Sequence, residues 1–579
     1  MSALATYQAA PDPDTSAASR PWQETAAMLQ KHRDATLAAV RPALCDPPAQ
    51  LPLNVASLAE QLLPSDVKAI TESAPEVLLA QLASQKLTAT AVTNAFLHRA
   101  SLAQKLTNCV TELLPERALA RAKELDEYIK THGKPIGPLH GLPISVKEHI
   151  PMAGLKTNAG FIAWAENESP QAPILDILWA AGAVFHVRTT QPQTLMHLET
   201  SNNIYGVTVN PFNRQLTAGG SSGGEGALIG TRGSCLGVGT DIGGSIRSPA
   251  ANNGLYGFKP TGCRLPDGGL LATMKGQEQV IPAIGPLSTS LEGIKIFSKV
   301  VLDAKPWLKQ PHLVSMPWRD DQEWLPKLPN GGKKLKVGVL YDDGVVKPHP
   351  PVLRALKEVT EKLEKIEGVE LVEWKPYKHD LAWDIISSIY FCDGGIEETA
   401  AIEASGEPWR PLSKFIIKDN PQVPTQPYSI KDVWRLTAQR EQYRAEYAEA
   451  WNRTATGPDG EGMVDVILCP VGPGTAPPLD QARWWGYTSQ WNLLNYPAVV
   501  FPVTQADPAL DAKDASYQPR NERDEFNHKL YEPETYRDAP VSLQLVGRIF
   551  EDEKVIEALD YITQRTGLPF ADALKAKAE

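Results

Sequence analysis

The stretch Gly219–Ser245 reads GGSSGGEGALIGTRGSCLGVGTDIGGS and holds eleven glycines in the twenty-six residues from Gly219 to Gly244. At the chain average of 42 glycines in 579 residues, about two are expected there. Glycine loses more entropy on folding than any other residue, so this density needs a backbone reason: positive φ, or close approach of main chain to a ligand. Between the glycines stand Ser221, Ser222 and Ser245, candidates for a nucleophile and its proton relay. No low-complexity linker would alternate with ALIG, VGT and IRSP, so the stretch is a candidate site.

Outward from it, hydrophobic patterning alternates between strand and helix. Strands are expected at Pro143–Ile150, Ala183–Val187, Cys235–Thr240, Lys336–Tyr341, Glu370–Trp374, Val464–Cys469, Ala498–Val503 and Val541–Val546. Helical spacing marks Pro21–Val40, Leu87–Leu106, Glu116–His132, Val352–Ile366, Ile430–Trp451 and Asp552–Gln564. Strands interleaved with helices argue for an α/β fold, a sheet covered on both faces. Residues 1–74 read as an N-terminal extension with a frayed Ala/Ser/Pro/Asp-rich start and a helical remainder, and 75–579 as the main domain. Two excursions, 303–334 (Pro, Trp, Lys) and 505–538 (strongly charged), are expected at pocket or dimer contacts, so a homodimer is allowed.

Composition narrows the class. Hydrophobic residues at 42% and charged residues at 22% are those of an ordinary globular chain. A net charge of −11 argues against nucleic acid and anionic membranes as partners. The cysteines (Cys45, Cys109, Cys235, Cys263, Cys392, Cys469) are scattered, without a C-x-x-C pair or a histidine cluster at metal-ligand spacing. This pattern implies free thiols in a reducing compartment, with no metal site. MSALATYQAAPDPDTSAASR lacks the basic and apolar regions of a secretory signal, and no apolar run reaches membrane-spanning length. A cytoplasmic protein is expected.

Several motif readings fail. A dinucleotide fingerprint stops at Ile242, where a glycine is needed, and no G-K-[ST] comes after the glycines for a phosphate loop. A nucleophile elbow matches around both Ser221 and Ser222, but overlapping glycines produce such matches easily. The preceding NPFNRQLTAG is turn-like rather than a strand, and His312, His349, His379 and His528 offer no distinctive partner.

A better reading uses the end of TDIGGS. There the backbone amides of Ile242, Gly243, Gly244 and Ser245 can converge as an anion-binding nest. One such donor to a tetrahedral oxyanion contributes roughly 2.7–4 kcal/mol. Lys147, in the apolar LPISVKEHI, is the best candidate activator. Neutralising an ordinary lysine at pH 8 costs roughly 3.3 kcal/mol, and burial lowers that cost by disfavouring the ammonium. Ser221, whose hydroxyl both donates and accepts, could bridge Lys147 and Ser245.

GPLHGLPISVKE, TAGGSSGGEGALI, GVGTDIGGSIRSPA and GLYGFKPT resemble the amidase signature family, as do the later VILCPVGPGTAPP, WNLLNYPAVVFPV and APVSLQLVGRIFEDE. The resemblance runs over roughly residues 75 to 570, and the opening PWQETAAMLQKHRD is similar to fungal acetamidase-type general amidases. It implies a mixed, twisted β-sheet with helices on both faces and an N-terminal helical extension. It also implies a Ser–cisSer–Lys triad: Ser245 the nucleophile, Ser221 in a cis peptide, Lys147 the general base. The two serines stand 24 apart, as the family motif requires. Ile242, Gly243 and Gly244 match the oxyanion hole, and Ser222, Asp241 and Arg247 match support positions. TTQPQTLM (Thr189–Met196) resembles the family's substrate-side turn, with Gln191 where asparagine is usual.

The resemblance therefore implies a serine amidohydrolase without metal or organic cofactor, acting on small or medium aliphatic or aromatic carboxamides. Leu195 and the cluster Trp484, Trp485, Trp491 and Tyr496 are candidates for the acyl pocket. Fatty-acid amide hydrolysis, an ammonia-moving amidotransferase subunit and a catalytically retired binding protein are the rival readings.

Overall fold

In the computed structural model, which describes residues 20–42, 46–420 and 425–570, eleven strands form one mixed sheet. Its first part uses β1 (Val110–Leu113), β2 (Pro143–Lys147) and β3 (Val184–Thr189). A separate two-stranded hairpin pairs β4 (Ser201–Asn202) with β5 (Gly206–Val207). The large sheet continues with β6 (Leu236–Asp241), β7 (Tyr256–Lys259), β8 (Ala283–Ser288), β9 (Leu335–Val339) and β10 (Val369–Glu373). It is completed by β11 (Val466–Pro470), β12 (Ala498–Gln505) and β13 (Pro540–Val546). The spatial order is β1-β3-β2-β6-β8-β7-β12-β13-β11-β9-β10. Two parallel groups, β3-β2-β6 and β11-β9-β10, flank an antiparallel middle.

Both faces of the sheet are covered, and the strand period of two divides the side chains between two cores. On β11, Val466 and Leu468 join the larger core while Ile467 and Cys469 join the other. On β2, Ile144 and Val146 enter the larger core, which leaves Ser145 and Lys147 on the opposite face. Helix Gly223–Gly230 packs there, with Glu225 taking hydrogen bonds from Ser145 and Thr189. Gly237 on β6 makes room for that carboxylate: a Cβ would stand 1.8 Å from Glu225 Oε2.

The expected strands and helices are all present with small shifts of their ends, apart from β2. β2 stops at Lys147 instead of running to Ile150, because the chain turns there: the Ile150 amide donates to the Lys147 carbonyl at 3.0 Å. Glu148 meanwhile accepts from the amides of Asn158 and Ala159. β1, β4, β5, β7 and β8 are additions to the expected set. Excursion 303–334 holds a short helical turn at Pro306–Leu308, and 505–538 carries helix Glu522–Leu530. The expected N-terminal helix spans Trp22–Ala38, while the frayed start lies outside the described residues. Among the described residues no helix is long and apolar enough to cross a membrane.

Candidate active site

The sheet brings the ends of β2 and β6 together, and the glycine-rich stretch wraps around them. Lys147, the last residue of β2, is fully buried, with Nζ 2.7 Å from Ser221 Oγ and 3.0 Å from Thr240 Oγ1. Burial pulls the amine down to about 7, although Asp241 and Glu225 favour its charged form. The Gly220–Ser221 peptide is cis. The neighbouring Ser222 amide donates to the Ser245 carbonyl at 3.1 Å, which ties the Ser221 segment to the Ser245 segment. Ser222 Oγ lies 3.4 Å from both the amide and the carbonyl of Thr240, holding that segment against β6. Ser245 keeps 5% exposure, so its hydroxyl is nearly enclosed.

Asp241 shapes the loop between β6 and helix Arg247–Asn252. Its carboxylate accepts from the Gly244 amide at 2.8 Å, the Ile246 amide at 3.1 Å, and Arg247 Nε and Nη2 at 3.0 Å each. Burial alone would raise Asp241, but the Arg247 guanidinium overrides it and holds the carboxyl well below the usual range. Arg247 also reaches the Thr488 carbonyl and Asn492 Oδ1. On the other side, Tyr390 donates to the Ile242 carbonyl at 2.7 Å and Thr488 to the Gly243 carbonyl at 2.6 Å. In a trans peptide the next amide points away from its carbonyl. The Gly243 amide therefore points away from Tyr390, and the Gly244 amide points away from Thr488 and toward Asp241. Gly244 sits at φ +132°, and a Cβ there would meet Thr488 Oγ1 at 2.4 Å.

One expectation changes as a result. The Gly244 amide, expected in an oxyanion cradle, donates here to the buried Asp241 carboxylate at 2.8 Å.

The expected pocket residues separate. Trp484 lines a largely apolar cavity of about 300 Å³, together with Leu198, Trp383 and Phe415. The same cavity is lined by Ser248, Ala251 and Asn252 of the helix after Ser245, and by Phe526 and Leu530 of the second excursion. Trp485 lies against Gly243, its ring 3.3 Å from where a Cβ would stand. Trp491 is placed instead in a core of rings with Tyr447 and His379, and Tyr496 packs on Tyr447 and Trp451. Leu195 belongs to an apolar cluster with Phe161, Trp164, Leu271, Ala401 and Ile402. Gln191 donates to Glu148 at 2.7 Å.

Sequence reasoning misses several residues of this neighbourhood. Glu225, pushed up to about 7 by burial, sits inside the glycine-rich stretch, Thr240 directly precedes Asp241, and His149 lies two residues after Lys147. Their positions beside candidate residues were the available signal. Tyr390, Thr488 and Asn492 reach the loop from far downstream, where no local pattern signals contact.

Known proteins agree with this architecture. The family model described as Amidase matches residues 91–556. An acetamidase of Emericella nidulans is 43% identical over 501 residues, covering 86% of this chain and 90% of the relative. An acetamidase of Aspergillus oryzae is 42% identical over 507 residues, covering 87% of this chain and 92% of its own length. A solved fatty acid amide hydrolase superposes with a TM-score of 0.88 at 33% identity, covering 97% of this chain and 99% of that one. With a matching family model over most of its length and these relatives, the chain belongs to the amidase signature family, as a hydrolase acting on amide C–N bonds.

Proposed function

We propose that Ser245 is the acyl-accepting nucleophile, Ser221 the proton bridge and Lys147 the general base. The observation that carries this reading is a fully buried amine 2.7 Å from a serine hydroxyl whose segment is tied to that of Ser245. A lysine brought down to about 7 is neutral in a large fraction of molecules at physiological pH. Its lone pair takes the Ser221 proton as Ser221 takes that of Ser245, and Ser245 Oγ bonds to the amide carbon. The oxyanion so formed lies against the amides of Ile242, Gly243 and Ser245. The relay then returns the proton to the nitrogen, the C–N bond breaks, and ammonia or an amine leaves. Water hydrolyses the acyl-enzyme by the same route. The scheme needs neither metal nor organic cofactor.

Ser222, Asp241 and Arg247 hold the loop and take no proton. Small to medium aliphatic or aromatic amides are the favoured substrates, supported by the two acetamidase relatives. A fatty-acid-amide reading is favoured by one observation, the apolar cavity walled by Trp484, Trp383 and Phe415 in a chain that superposes on a fatty acid amide hydrolase. Turnover of acetamide, benzamide, anilides and oleamide separates the two. Residues 75–579 act as the catalytic domain and 1–74 as its extension, in line with a family match that begins at residue 91. A reducing, cytoplasmic setting belongs to the same reading, supported by free thiols at Cys109, Cys235, Cys263, Cys392 and Cys469.

Ser245→Ala and Lys147→Ala should each abolish amide hydrolysis while the protein stays folded. A fully active Ser245→Ala variant overturns the assignment. Fluorophosphonate labelling of the parent, absent in Ser245→Ala, distinguishes a working enzyme from a retired binding protein.

A further inference from the structure

Thr240 Oγ1, 3.0 Å from Lys147 Nζ, also lies 2.9 Å from His149 Nε2. All three side chains are buried. A threonine hydroxyl has one hydrogen to give, so it donates either to the amine or to the ring. The far side of the ring decides which. His149 Nδ1 lies 3.0 Å from the Leu271 carbonyl, which can only accept, so Nδ1 carries a hydrogen. Burial, reinforced by Lys147 alongside, holds His149 well below its ordinary range, so the ring is neutral and carries only that hydrogen. Nε2 is then an acceptor and receives the Thr240 hydrogen. The Thr240 oxygen, its hydrogen committed, accepts an N–H from Lys147.

A neutral amine has two hydrogens and one lone pair. Bonded this way, Lys147 spends a hydrogen on Thr240 and keeps its lone pair for Ser221. A freely rotating Thr240 hydroxyl would do the reverse, since an amine lone pair is a strong acceptor within reach. The base would then be capped by the wrong alcohol.

We propose that His149 and Thr240 are positioning residues of the hydrolytic site: the Leu271 carbonyl fixes the His149 tautomer, the ring turns the Thr240 hydroxyl away, and the Lys147 lone pair is left facing Ser221. This rests on Lys147 being the general base. The charged groups facing Lys147 are Asp241 at the end of β6 and Glu225 on helix Gly223–Gly230, both favouring the ammonium. Facing His149 are Lys147 from β2 and Arg188 from β3. Among the described residues, Thr240 Oγ1 hydrogen-bonds only to Lys147 and His149.

The test uses the full-length protein and measures kcat and KM for one amide substrate across pH. His149→Ala should lower kcat about 10- to 100-fold, up to the lower end of a general-base contribution, with KM unchanged. It should also shift the acid limb of the profile to lower pH, because a donated hydrogen favours the neutral amine. His149→Gln, whose amide oxygen can reach the Nε2 position, should recover most of the loss. In a Thr240→Val background, where no hydroxyl competes for the lone pair, His149→Ala should cost nothing further. If His149→Ala does not fold, His149→Phe keeps the ring volume without Nε2 and takes its place.

Parental kcat and an unmoved profile in the acceptor-less variant, or fully additive losses in the double variant, overturn the proposal. Lys147→Ala, run alongside, keeps two failures apart. If it is inactive while His149→Ala is normal, only the positioning role falls. If it is active, the assignment of the base falls with it.

Discussion

Two buried basic side chains stand close to the end of β6, Lys147 and Arg247, and they are given different partners. Neither side chain is exposed, so desolvation opposes both charges. Arg247 meets a carboxylate directly, with Nε and Nη2 each 3.0 Å from Asp241, and adds the Thr488 carbonyl and Asn492. That guanidinium holds the Asp241 carboxyl well below its usual range. Among the described residues, Lys147 hydrogen-bonds only to the hydroxyls of Ser221 and Thr240. The more distant pull of Asp241 and Glu225 does not offset burial, and the amine comes down to about 7. Burial sets the penalty for charge, and the contacting partner decides whether the charge survives it. One cation is thereby tied into the loop, and the other is suited to the base role proposed above.

The largest expected effect comes from giving the lysine site a permanent cation. Lys147→Arg cannot be neutralised at any working pH, so it should lose about 10⁴-fold in kcat, near the upper range of general-base effects. Steady-state kinetics beside Lys147→Ala check this, and appreciable Lys147→Arg activity would contradict a neutral base.

Next comes removal of the carboxylate's charge from the arginine site. Asp241→Asn leaves Arg247 buried without its counter-ion and should cost about 3–5 kcal/mol of stability, read from denaturant midpoints. The same substitution frees the loop amides and should lower kcat as well.

The proposed base sets the expected pH response. Its proton must leave before it can act, so kcat/KM should rise with pH through an acid limb near 7 and level off above it. The folded amine sits below its unfolded value of about 10.4, so the unfolded chain binds more protons between those limits and this group's penalty on folding shrinks as pH rises. Lys147→Met should therefore exceed the parent in stability most clearly below pH 7, with the gap closing toward pH 10. Paired denaturation curves across that range check the sign.

The smallest effect is expected at Tyr390. Tyr390→Phe removes the hydrogen bond to the Ile242 carbonyl and should cost about 1 kcal/mol of loop positioning, roughly a fivefold loss in kcat. Unchanged kinetics would assign the loop's orientation to Thr488 and Asp241 alone.

Much of this arrangement is legible in the sequence because the informative residues are adjacent in the chain. The glycine-rich stretch marks its own close contacts, and the apolar run before Lys147 already indicates burial. Helix ends such as Ile430–Asn452 and Pro115–His132 are set by periodicity and terminal residues. β8 is hidden for the opposite reason. AIGPLS carries a glycine and a proline, which ordinarily argue against an inner strand. Here Pro286 pairs with Val238 on β6, while β7 pairs only with Leu287 and Ser288, so the missing amide falls outside the β7 pairing. β1 is four residues long, too short for its period to stand out. The direction of the Gly244 amide is equally unreadable, since Asp241 and Thr488 fix it through a tertiary contact. Trp491 illustrates the limit of composition: its cluster of aromatic neighbours is genuine, but it fills a core rather than a pocket.

The parallel pairing of β2 with β6, Ser145 to Gly237 and Val146 to Val238, has a consequence for how such a base tolerates change. The distance from amine to threonine is set by a backbone ladder rather than by a flexible connection, so lengthening the surface loops leaves it untouched. Sliding β6 by a single residue would be another matter. It would put Gly239 or Asp241 where Thr240 now stands, offering the lysine either nothing or a permanent counter-ion, and would silence the proposed base without removing one atom of it.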